Sequence, residues 1–349
     1  MKLVLEDGTI FQGSSFGADR EVGGEVVFNT AMTGYPELLT DPAYRGQILV
    51  LTYPLQGNYG IARGPFESDR IQVQGLVVAH ATAQPHHHES VQSLEDWLIK
   101  EAVPGIQAFD TRSLVSHLRD EGTMRGFLLH DETRCEAETL DLSAVECLNL
   151  GESRSYPAGP LMVLAIDPGM RESALQSLVG RNVSVLRYPA MSSWEEVVSQ
   201  VDGIILGSGP GDPASWRALT ARISRLLEGD RPILGLCLGH QLLALAAGAR
   251  TFKLSYGHRS VNQPVRDLRT QRAYSTSQNH GFAVDPSSLP ADLWDVWCTN
   301  LLDGTIEGIR HRHRPFLGVQ FHPESTPGPR DTDFLFDEFV SAIRLVKGE

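Results

Sequence analysis

The stretch that decides the fold is "PILGLCLGHQLLALAAGAR", residues 232–250, in which Cys237 stands between two glycines. An apolar run leads up to the cysteine and a run rich in leucine and alanine follows it. This pattern predicts a buried strand joined directly to a helix. Gly235 and Gly239 permit a sharp turn and a close approach of neighbouring backbone. The sequence therefore predicts a nucleophile elbow, with a thiol in place of a serine hydroxyl.

A thiol at this position would lie at the N-terminus of the following helix, where the helix dipole favours the thiolate form. The backbone amide of Leu238 would point to where an oxyanion could form. The competing interpretation is a structural cysteine buried at a tight strand–helix junction, since buried free cysteines are common. A catalytic thiolate needs a base, and the base needs an orienting group.

A candidate base lies in "VQFHPE" (319–324), which offers His322 and Glu324. Two residues apart in an extended segment, their side chains can lie on one side, so that Glu324 holds the imidazole while His322 faces Cys237. Taken alone, the motif could be a polar turn with a solvated histidine. His280, in "SQNHGFAVD", competes for the role of base, and the residues themselves do not choose between the two histidines.

Two loops look suited to a small polar ligand. "GSGPGDP" (207–213) follows a candidate strand, at the sheet edge that holds ligands in open α/β sheets. A plain turn is an equally open interpretation. A phosphate loop is disfavoured because the lysine motif is absent and the two prolines remove N–H donors. In "SQNHGFAVD" (277–285), the amide of Asn279 and the glycine-exposed backbone suit an amino-acid ligand.

The second half of the chain alternates short apolar strands with amphipathic segments. This rhythm predicts parallel βαβ units, with helices on both faces of the sheet. The tail differs: "GTIEGIR" and "FLGVQF" read as a hairpin, followed by a closing helix capped by Asp331 or Thr332. The candidate parallel strands cover residues 161–167, 183–189, 203–208 and 232–237.

The first half lacks that rhythm, so residues 1–149 are predicted to form a separate mixed α/β domain. Asp7-Gly8 between two apolar runs indicates a hairpin. Asp110 and Gly122 bound a predicted helix as its cap and its stop. "LGESRSYPAGP" (150–160) is small, polar and proline-containing, and we expect the linker there, ahead of a domain over 161–349.

Composition limits the classes of partner. With 349 residues two domains are expected, and the net charge of −13 argues against nucleic acid as a partner. No apolar run approaches the length that spans a bilayer, and acidic residues come too early for a signal peptide. The four cysteines form no C-x-x-C pair, so neither a disulfide framework nor a zinc site is expected. We expect a cytoplasmic protein without a metal. The histidines at 86–88, 311 and 313 are interpreted as solvated surface.

Taken together, "GLCLGHQ", "GSGPGDP", "SQNHGFAVD" and "FHPE" resemble the motifs of class I glutamine amidotransferases. The N-terminal half is similar to the small chain of carbamoyl-phosphate synthases. The similarity lies in "LEDGTIFQG", "GEVVFNTAMTGYPELLTDPAYRGQILVLTYPLQGNYG" and "DTRSLVSHLRDEGTMRG". "SYGHRSVNQPV" and the "PGPRD" that follows "FHPE" extend the resemblance nearly from end to end.

This resemblance implies a flavodoxin-like amidotransferase domain that acts as a glutaminase. Cys237 would attack the side-chain amide of L-glutamine, giving a glutamyl thioester and ammonia, with His322 as the base and Glu324 as its orienter. It thereby favours His322 over His280. Positions implied to hold glutamine or its oxyanion are Gly209, Gly211, Leu238, Gln241, Asn279, Gly281, Phe282 and Ala43.

The resemblance also implies a partner. Ammonia would pass to a large synthetase chain, bound through the N-terminal domain, that makes carbamoyl phosphate from bicarbonate and ATP. That product feeds pyrimidine and arginine synthesis. No cofactor is expected on this chain, whereas ATP and a divalent metal are expected on the large subunit.

Three features depart from the family pattern. Ala43 stands where the family generally has a serine that reaches the glutamine site. "IDPGMRES" (166–173) replaces a stretch that usually reads D-x-G-x-K, so the edge of the first strand is expected to differ, and the linker is shorter than usual. The alternatives are another class I amidotransferase component, a thiol hydrolase of small esters and a non-catalytic partner. The N-terminal half argues against another amidotransferase component, and the two ligand loops argue against a thiol hydrolase. The intact set of Cys237, His322 and Glu324 argues against a non-catalytic partner.

Overall fold

The structure is a computed structural model that describes residues 1–130 and 152–349. The chain divides into two compact units with the boundary after Glu146. Each unit has its own sheet and its own buried core, which confirms the predicted class of two α/β parts. The segment predicted as a linker, 150–160, begins outside the described residues and includes a short strand at Arg154–Tyr156.

The N-terminal unit is built on a mixed eight-stranded sheet. The strands are β1 (Lys2–Leu5), β2 (Ile10–Gln12), β3 (Ser14–Gly17), β4 (Val22–Asn29), β5 (Gln47–Gln56), β6 (Gly75–Ala81), β7 (Pro104–Gln107) and β8 (Met124–Leu129). The helices are α1 (Tyr35–Thr40), α2 (Leu94–Lys100) and α3 (Thr111–Glu121). Strands β4 to β7 run parallel, and the flanking strands pair antiparallel.

The hairpin, the helix cap and the helix stop that were predicted for this unit are confirmed. The turn at Asp7-Gly8 joins β1 to β2 as an antiparallel hairpin. The Asp110 carboxylate accepts a hydrogen bond from the backbone N–H of Ser113 at 3.0 Å and so caps α3. Gly122 follows the end of that helix with a φ of 95°, a conformation that favours glycine.

The C-terminal unit is built on a ten-stranded sheet. The strands are β9 (Arg154–Tyr156), β10 (Leu161–Asp167), β11 (Val183–Pro189), β12 (Gly203–Leu206), β13 (Ile233–Leu236), β14 (Thr251–Asp267), β15 (Ala273–Val284), β16 (Trp294–Asn300), β17 (Ile306–His311) and β18 (Phe316–Val319). The helices are α4 (Glu172–Val179), α5 (Glu195–Val198), α6 (Arg217–Leu226), α7 (Leu238–Ala246) and α8 (Phe334–Lys347).

Five neighbouring strands, β11-β10-β12-β13-β18, are parallel. Their spatial order is the doubly wound, flavodoxin-like order, as predicted. Residues of β10 alternate between two cores: Val163 and Ala165 pack with α4 and α8, whereas Leu164 and Ile166 pack with α6 and α7. Burial on both faces explains why these strands are continuously apolar. Beyond β18, four antiparallel strands extend the sheet, and β17–β18 forms the predicted hairpin.

The predicted cap of the last helix is wrong. Helix α8 begins at Phe334, after Asp333, and no side chain caps it. The Asp331 carboxylate accepts instead from the Ser275 backbone N–H at 3.2 Å, and Thr332 is buried. The apolar residues of α8, among them Leu335, Phe336 and Phe339, are buried in the core beside the sheet.

The structure also bears on membranes. Within residues 1–130 and 152–349, none of the helices is both long enough and apolar enough to cross a bilayer.

Candidate active site

The backbone at Cys237 has the strand–turn–helix geometry that the sequence predicts. Cys237 follows β13 and is the N-cap of α7, with φ 51° and ψ −104°. Such a positive φ strains a residue that carries a Cβ. Two hydrogen bonds hold it: the Cys237 N–H donates to the Val319 carbonyl at 2.8 Å, and its own carbonyl accepts from the Gln241 N–H at 3.2 Å. The parallel neighbour and the helix thus fix the turn together.

Both flanking glycines are required by close backbone contacts. A Cβ on Gly239 would lie 2.0 Å from the Leu206 carbonyl oxygen of β12, far inside contact distance. A Cβ on Gly235 would lie 2.7 Å from the Gly239 carbonyl oxygen. The glycine pattern around the thiol therefore lets α7 start directly against the strand ends.

The thiol of Cys237 is enclosed by backbone and amide groups. The residue is 2% exposed, and its Sγ donates to the Asn279 carbonyl of β15 at 3.6 Å. The Gln320 side chain, just past β18, donates from Nε2 to the same sulfur at 3.7 Å. Buried polar contacts of this kind fix the direction of the sulfur at the carboxyl edge of the sheet.

A buried histidine–carboxylate pair lies beyond the end of β18. The His322 Nδ1 is 2.8 Å from Glu324 Oε1, and the backbone N–H of His322 donates to the Ser277 carbonyl at 2.9 Å. Burial and the Arg171 guanidinium lower the pKa of His322, but the Glu324 carboxylate and the Cys237 thiol outweigh them and raise it to about 9. The ring therefore favours the imidazolium form and brings a positive charge next to Cys237.

Glu324 is the counter-charge of this ring. Burial raises the pKa of Glu324, yet the His322 ring and the Arg171 guanidinium hold it below its usual value. A charged carboxylate on Nδ1 directs Nε2, the other ring nitrogen, away from Glu324 and toward the reacting side.

His280 is held in a different environment from that of His322. Its Nδ1 lies 2.8 Å from the Phe282 carbonyl oxygen, and its Nε2 lies 3.0 Å from Gln278 Oε1. Burial, together with the positive charge of His258, lowers the pKa of His280 well below its usual value. The structure thus pairs His322, and not His280, with the carboxylate at the thiol.

One buried group invites a metal interpretation. His258, His280 and Glu307 present ligand atoms that lie within 4.8 Å of one another. The amide of Gln278 lies among them: its Oε1 is 3.1 Å from His258 Nδ1, and its Nε2 donates to Glu307 at 2.9 Å. Asn300 donates to the other oxygen of Glu307 at 2.9 Å. The three side chains therefore belong to a hydrogen-bonded network in which the Gln278 amide lies between the potential metal ligands.

Of the remaining predicted site residues, Gly209 and Gly211 follow β12, Leu238 and Gln241 lie in α7 after β13, and Gly281 and Phe282 lie within the antiparallel strand β15. A Cβ on Gly209, in the loop after β12, would lie 3.0 Å from Leu238 Cδ2, so this loop packs against the elbow. Gly211 has a φ of 87°, in the region that favours glycine. Gln241 donates from Nε2 to the Phe282 carbonyl at 2.6 Å and to Gln320 Oε1 at 2.9 Å.

Ala43 belongs to the N-terminal unit. It lies in a 3-10 helix, Pro42–Tyr44, where its backbone N–H donates to the Asp41 carboxylate at 3.0 Å.

Two residues of the site were not predicted. Gln320 contacts both the thiol and Gln241, and its place two residues before His322 was the only sequence signal. Arg171 is 1% exposed, with Nη1 4.0 Å from Glu324 Oε1 and 3.2 Å from the Thr326 carbonyl oxygen. It occupies the lysine position of the usual D-x-G-x-K pattern. The segment that departs from that pattern therefore still delivers a buried cation to the carboxylate.

A doubly wound sheet with a cysteine elbow and a buried histidine–carboxylate pair is the arrangement expected of a class I glutamine amidotransferase domain. Residues 164–342 match the family described as "Glutamine amidotransferase class-I", and residues 3–128 match "Carbamoyl-phosphate synthase small chain, CPSase domain". The chain belongs to the carbamoyl phosphate synthase small chain family.

Curated relatives agree over nearly the whole length. The carbamoyl phosphate synthase small chain of Methanopyrus kandleri is 45% identical, covering 98% of both chains. That of Symbiobacterium thermophilum is 45% identical, covering 97% of both. The carbamoyl phosphate synthase arginine-specific small chain of Neosartorya fischeri is 43% identical, covering 98% of this chain and 80% of the relative.

Proposed function

We propose that this chain hydrolyses L-glutamine for a carbamoyl phosphate synthase, through a cysteine thioester, and delivers the ammonia to a large synthetase chain. The observation that supports this most directly is the buried His322–Glu324 pair beside the Cys237 elbow. A structural cysteine would need neither a strained φ nor a paired imidazolium next to it.

In the first half of the reaction, the Cys237 thiolate attacks the side-chain amide carbon of glutamine. The negative charge moves to the amide oxygen, which the backbone N–H groups of Gly209 and Leu238 stabilise. The carbon–nitrogen bond then breaks while the His322 imidazolium gives its proton to the leaving nitrogen, so that ammonia departs and a glutamyl thioester remains.

In the second half, water attacks the thioester carbon and neutral His322 takes its proton. The carbon–sulfur bond breaks, glutamate leaves and the thiolate with its imidazolium partner is restored. Glu324 keeps the ring in one orientation through both halves. We further propose that Gly211, Gln241, Asn279, Gly281 and Phe282 hold the glutamine.

The partner follows from the family. We propose that the large chain binds through residues 1–149, carries the ATP and divalent metal, and uses bicarbonate to make carbamoyl phosphate in the cytoplasm. The name of the Neosartorya relative supports arginine synthesis as one destination, and pyrimidine synthesis is the second that we propose.

The test is the substitution Cys237→Ser in the complex with the co-purified large chain. We expect glutamine-dependent carbamoyl phosphate synthesis to be lost, while synthesis from free ammonia stays within about twofold of the unaltered complex, because the thiolate acts only in releasing ammonia. Ser199→Ala, at the exposed residue that follows α5, serves as a control that leaves both activities unchanged. Unchanged glutamine-dependent synthesis in the Cys237→Ser complex would overturn the assignment of Cys237 as the nucleophile.

A further inference from the structure

The antiparallel strands β14 and β15 place a buried arginine, Arg259, opposite a residue that contacts the Cys237 thiol. Arg259 of β14 is paired directly with Asn279 of β15, and the Asn279 carbonyl accepts from Cys237 Sγ at 3.6 Å. Directly opposed residues of an antiparallel pair project on the same face, as do residues two apart along one strand. Arg259, Asn279 and Gly281 therefore share one face of this ribbon.

The guanidinium of Arg259 lies against Gly281. A Cβ added to Gly281 would be 3.1 Å from Arg259 Nη2, and Gly281 itself is half-buried. Arg259 is 6% exposed, and its Nη1 donates to the Tyr256 carbonyl at 2.7 Å. A guanidinium has five N–H donors in a rigid fork, so it can bind a carboxylate in addition to a carbonyl.

The spacing along β15 fits the length of glutamine. Asn279, beside the sulfur, and Gly281, beside the guanidinium, are two residues apart, which is about 7 Å along a strand. In an extended glutamine the α-carboxylate carbon lies four bonds from the side-chain amide carbon, about 5 Å away. A substrate whose amide carbon is in contact with Sγ can therefore place its carboxylate next to Gly281.

We propose that Arg259 is a specificity-determining residue that binds the α-carboxylate of glutamine, together with the backbone at Gly281. This inference rests on the proposed glutaminase function and deepens it. Glycine at 281 is explained by the same geometry, because any side chain there would fill the space between the substrate and the guanidinium. The cation selects an amino acid over a simple amide, since only the amino acid brings a carboxylate to this end of the site.

The buried position strengthens the selection. A carboxylate–guanidinium pair is screened less when water is excluded. Loss of a hydrogen bond to a charged group corresponds to about a 10- to 100-fold weakening of binding. Because the contact is remote from the reacting carbon, it is made equally in the ground state and in the transition state, so its loss appears in KM and leaves kcat nearly unchanged.

The experiment compares L-glutamine with 4-aminobutanamide, the same amide without the α-carboxylate, in the complex with the large chain. We expect Arg259→Met to raise KM for glutamine about 10- to 100-fold, with kcat within about threefold. We expect no change in KM for 4-aminobutanamide. Arg259→Lys keeps the charge and loses the fork, so a smaller rise is expected. The matched control is Arg250→Met, which removes an exposed arginine paired with Asp285 just before β14.

The role of Arg259 and the glutaminase function can fail independently. Equal effects of Arg259→Met on both substrates, with the thermal unfolding midpoint unchanged, would overturn the role of Arg259 and leave the glutaminase function standing. Failure of the unaltered complex to release ammonia from glutamine would overturn the glutaminase function itself. If Arg259→Met does not assemble, the Arg259→Lys complex is used instead. We then expect its preference for glutamine over 4-aminobutanamide to be smaller than that of the unaltered complex. An unchanged preference would contradict the inference.

Discussion

The charge on the His322 ring is set by competition between burial and neighbouring charges. A fully buried imidazole ordinarily loses its proton, because the charged form is poorly solvated. Here the Glu324 carboxylate and the Cys237 thiol reverse that tendency, even though Arg171 opposes it, and the pKa rises to about 9. His280, buried to the same degree but with cations around it, has a lowered pKa. Neighbouring charges thus decide the opposite states of two buried histidines in one site.

This charge state predicts a pH dependence of stability. The pKa of His322 is raised on folding from 6.5 to about 9, so its stabilisation is fully present below pH 6.5 and is lost as the pH rises through about 9. We expect the free energy of unfolding to fall by about 3 kcal/mol more in the unaltered chain than in His322→Asn over that interval. Urea unfolding of both chains at several pH values measures the difference. Parallel curves would mean that His322 is neutral in the folded chain.

At the scale of elements, the elbow depends on how closely α7 approaches the strands. Helix α7 begins at Leu238, one residue after Cys237, and its first turn touches the end of β12 through Gly239. This closeness brings the N-terminus of the helix, with its unsatisfied N–H groups, to the thiol. It also brings the loop after β12, which carries Gly209, against Leu238. A side chain at Gly239 would force the three elements apart.

Gly239→Ala tests that packing. Its Cβ would lie 2.0 Å from the Leu206 carbonyl oxygen, and backbone on both sides leaves little room to shift. We expect a loss of about 3 kcal/mol or more in the free energy of unfolding, together with loss of glutamine hydrolysis. Gly229→Ala is the matched control, because the atom nearest to its added Cβ would be the Leu226 carbonyl oxygen, 3.6 Å away. We expect this variant to change the free energy of unfolding by less than about 1 kcal/mol. Urea titration of both variants measures the loss of stability. Equal unfolding midpoints would show that the elbow tolerates a Cβ at position 239.

At the scale of the whole molecule, two units with separate cores carry separate tasks. The C-terminal unit alone holds Cys237, His322, Glu324 and the proposed Arg259 contact. The N-terminal unit, which matches the small-chain family over residues 3–128, contributes none of these groups. On the proposed function, this unit binds the large chain, and coupling glutamine hydrolysis to that assembly would prevent the loss of ammonia before it is used.

Assembly is therefore expected to gate activity. We predict that the isolated chain hydrolyses glutamine at least about tenfold more slowly than the complex with the large chain, since binding of a partner can shift a site between two states by that amount. Ammonia release is measured at equal chain concentrations with and without the partner. Equal rates would show that the site is fully assembled in the isolated chain.

The sequence by itself determined the elements whose signals are local. The strand–cysteine–helix junction follows from glycine spacing, the parallel units follow from alternating apolar and amphipathic runs, and Asp110 caps α3 through a contact three residues away. The pairing of His322 with Glu324 was also predicted, but the extended segment expected there is wrong: Pro323 and Glu324 lie in a turn, in which the Ser325 N–H donates to the His322 carbonyl at 3.2 Å.

Only the tertiary structure decided the contacts made across the chain. Asp331 bonds to β15 instead of capping α8, because a strand distant in sequence offers it an N–H group. Arg171 reaches Glu324, and Arg259 reaches Gly281, through the packing of separate strands and loops. The sequence cannot weigh such contacts, since their energies depend on burial and on distances between segments that only the folded chain brings together.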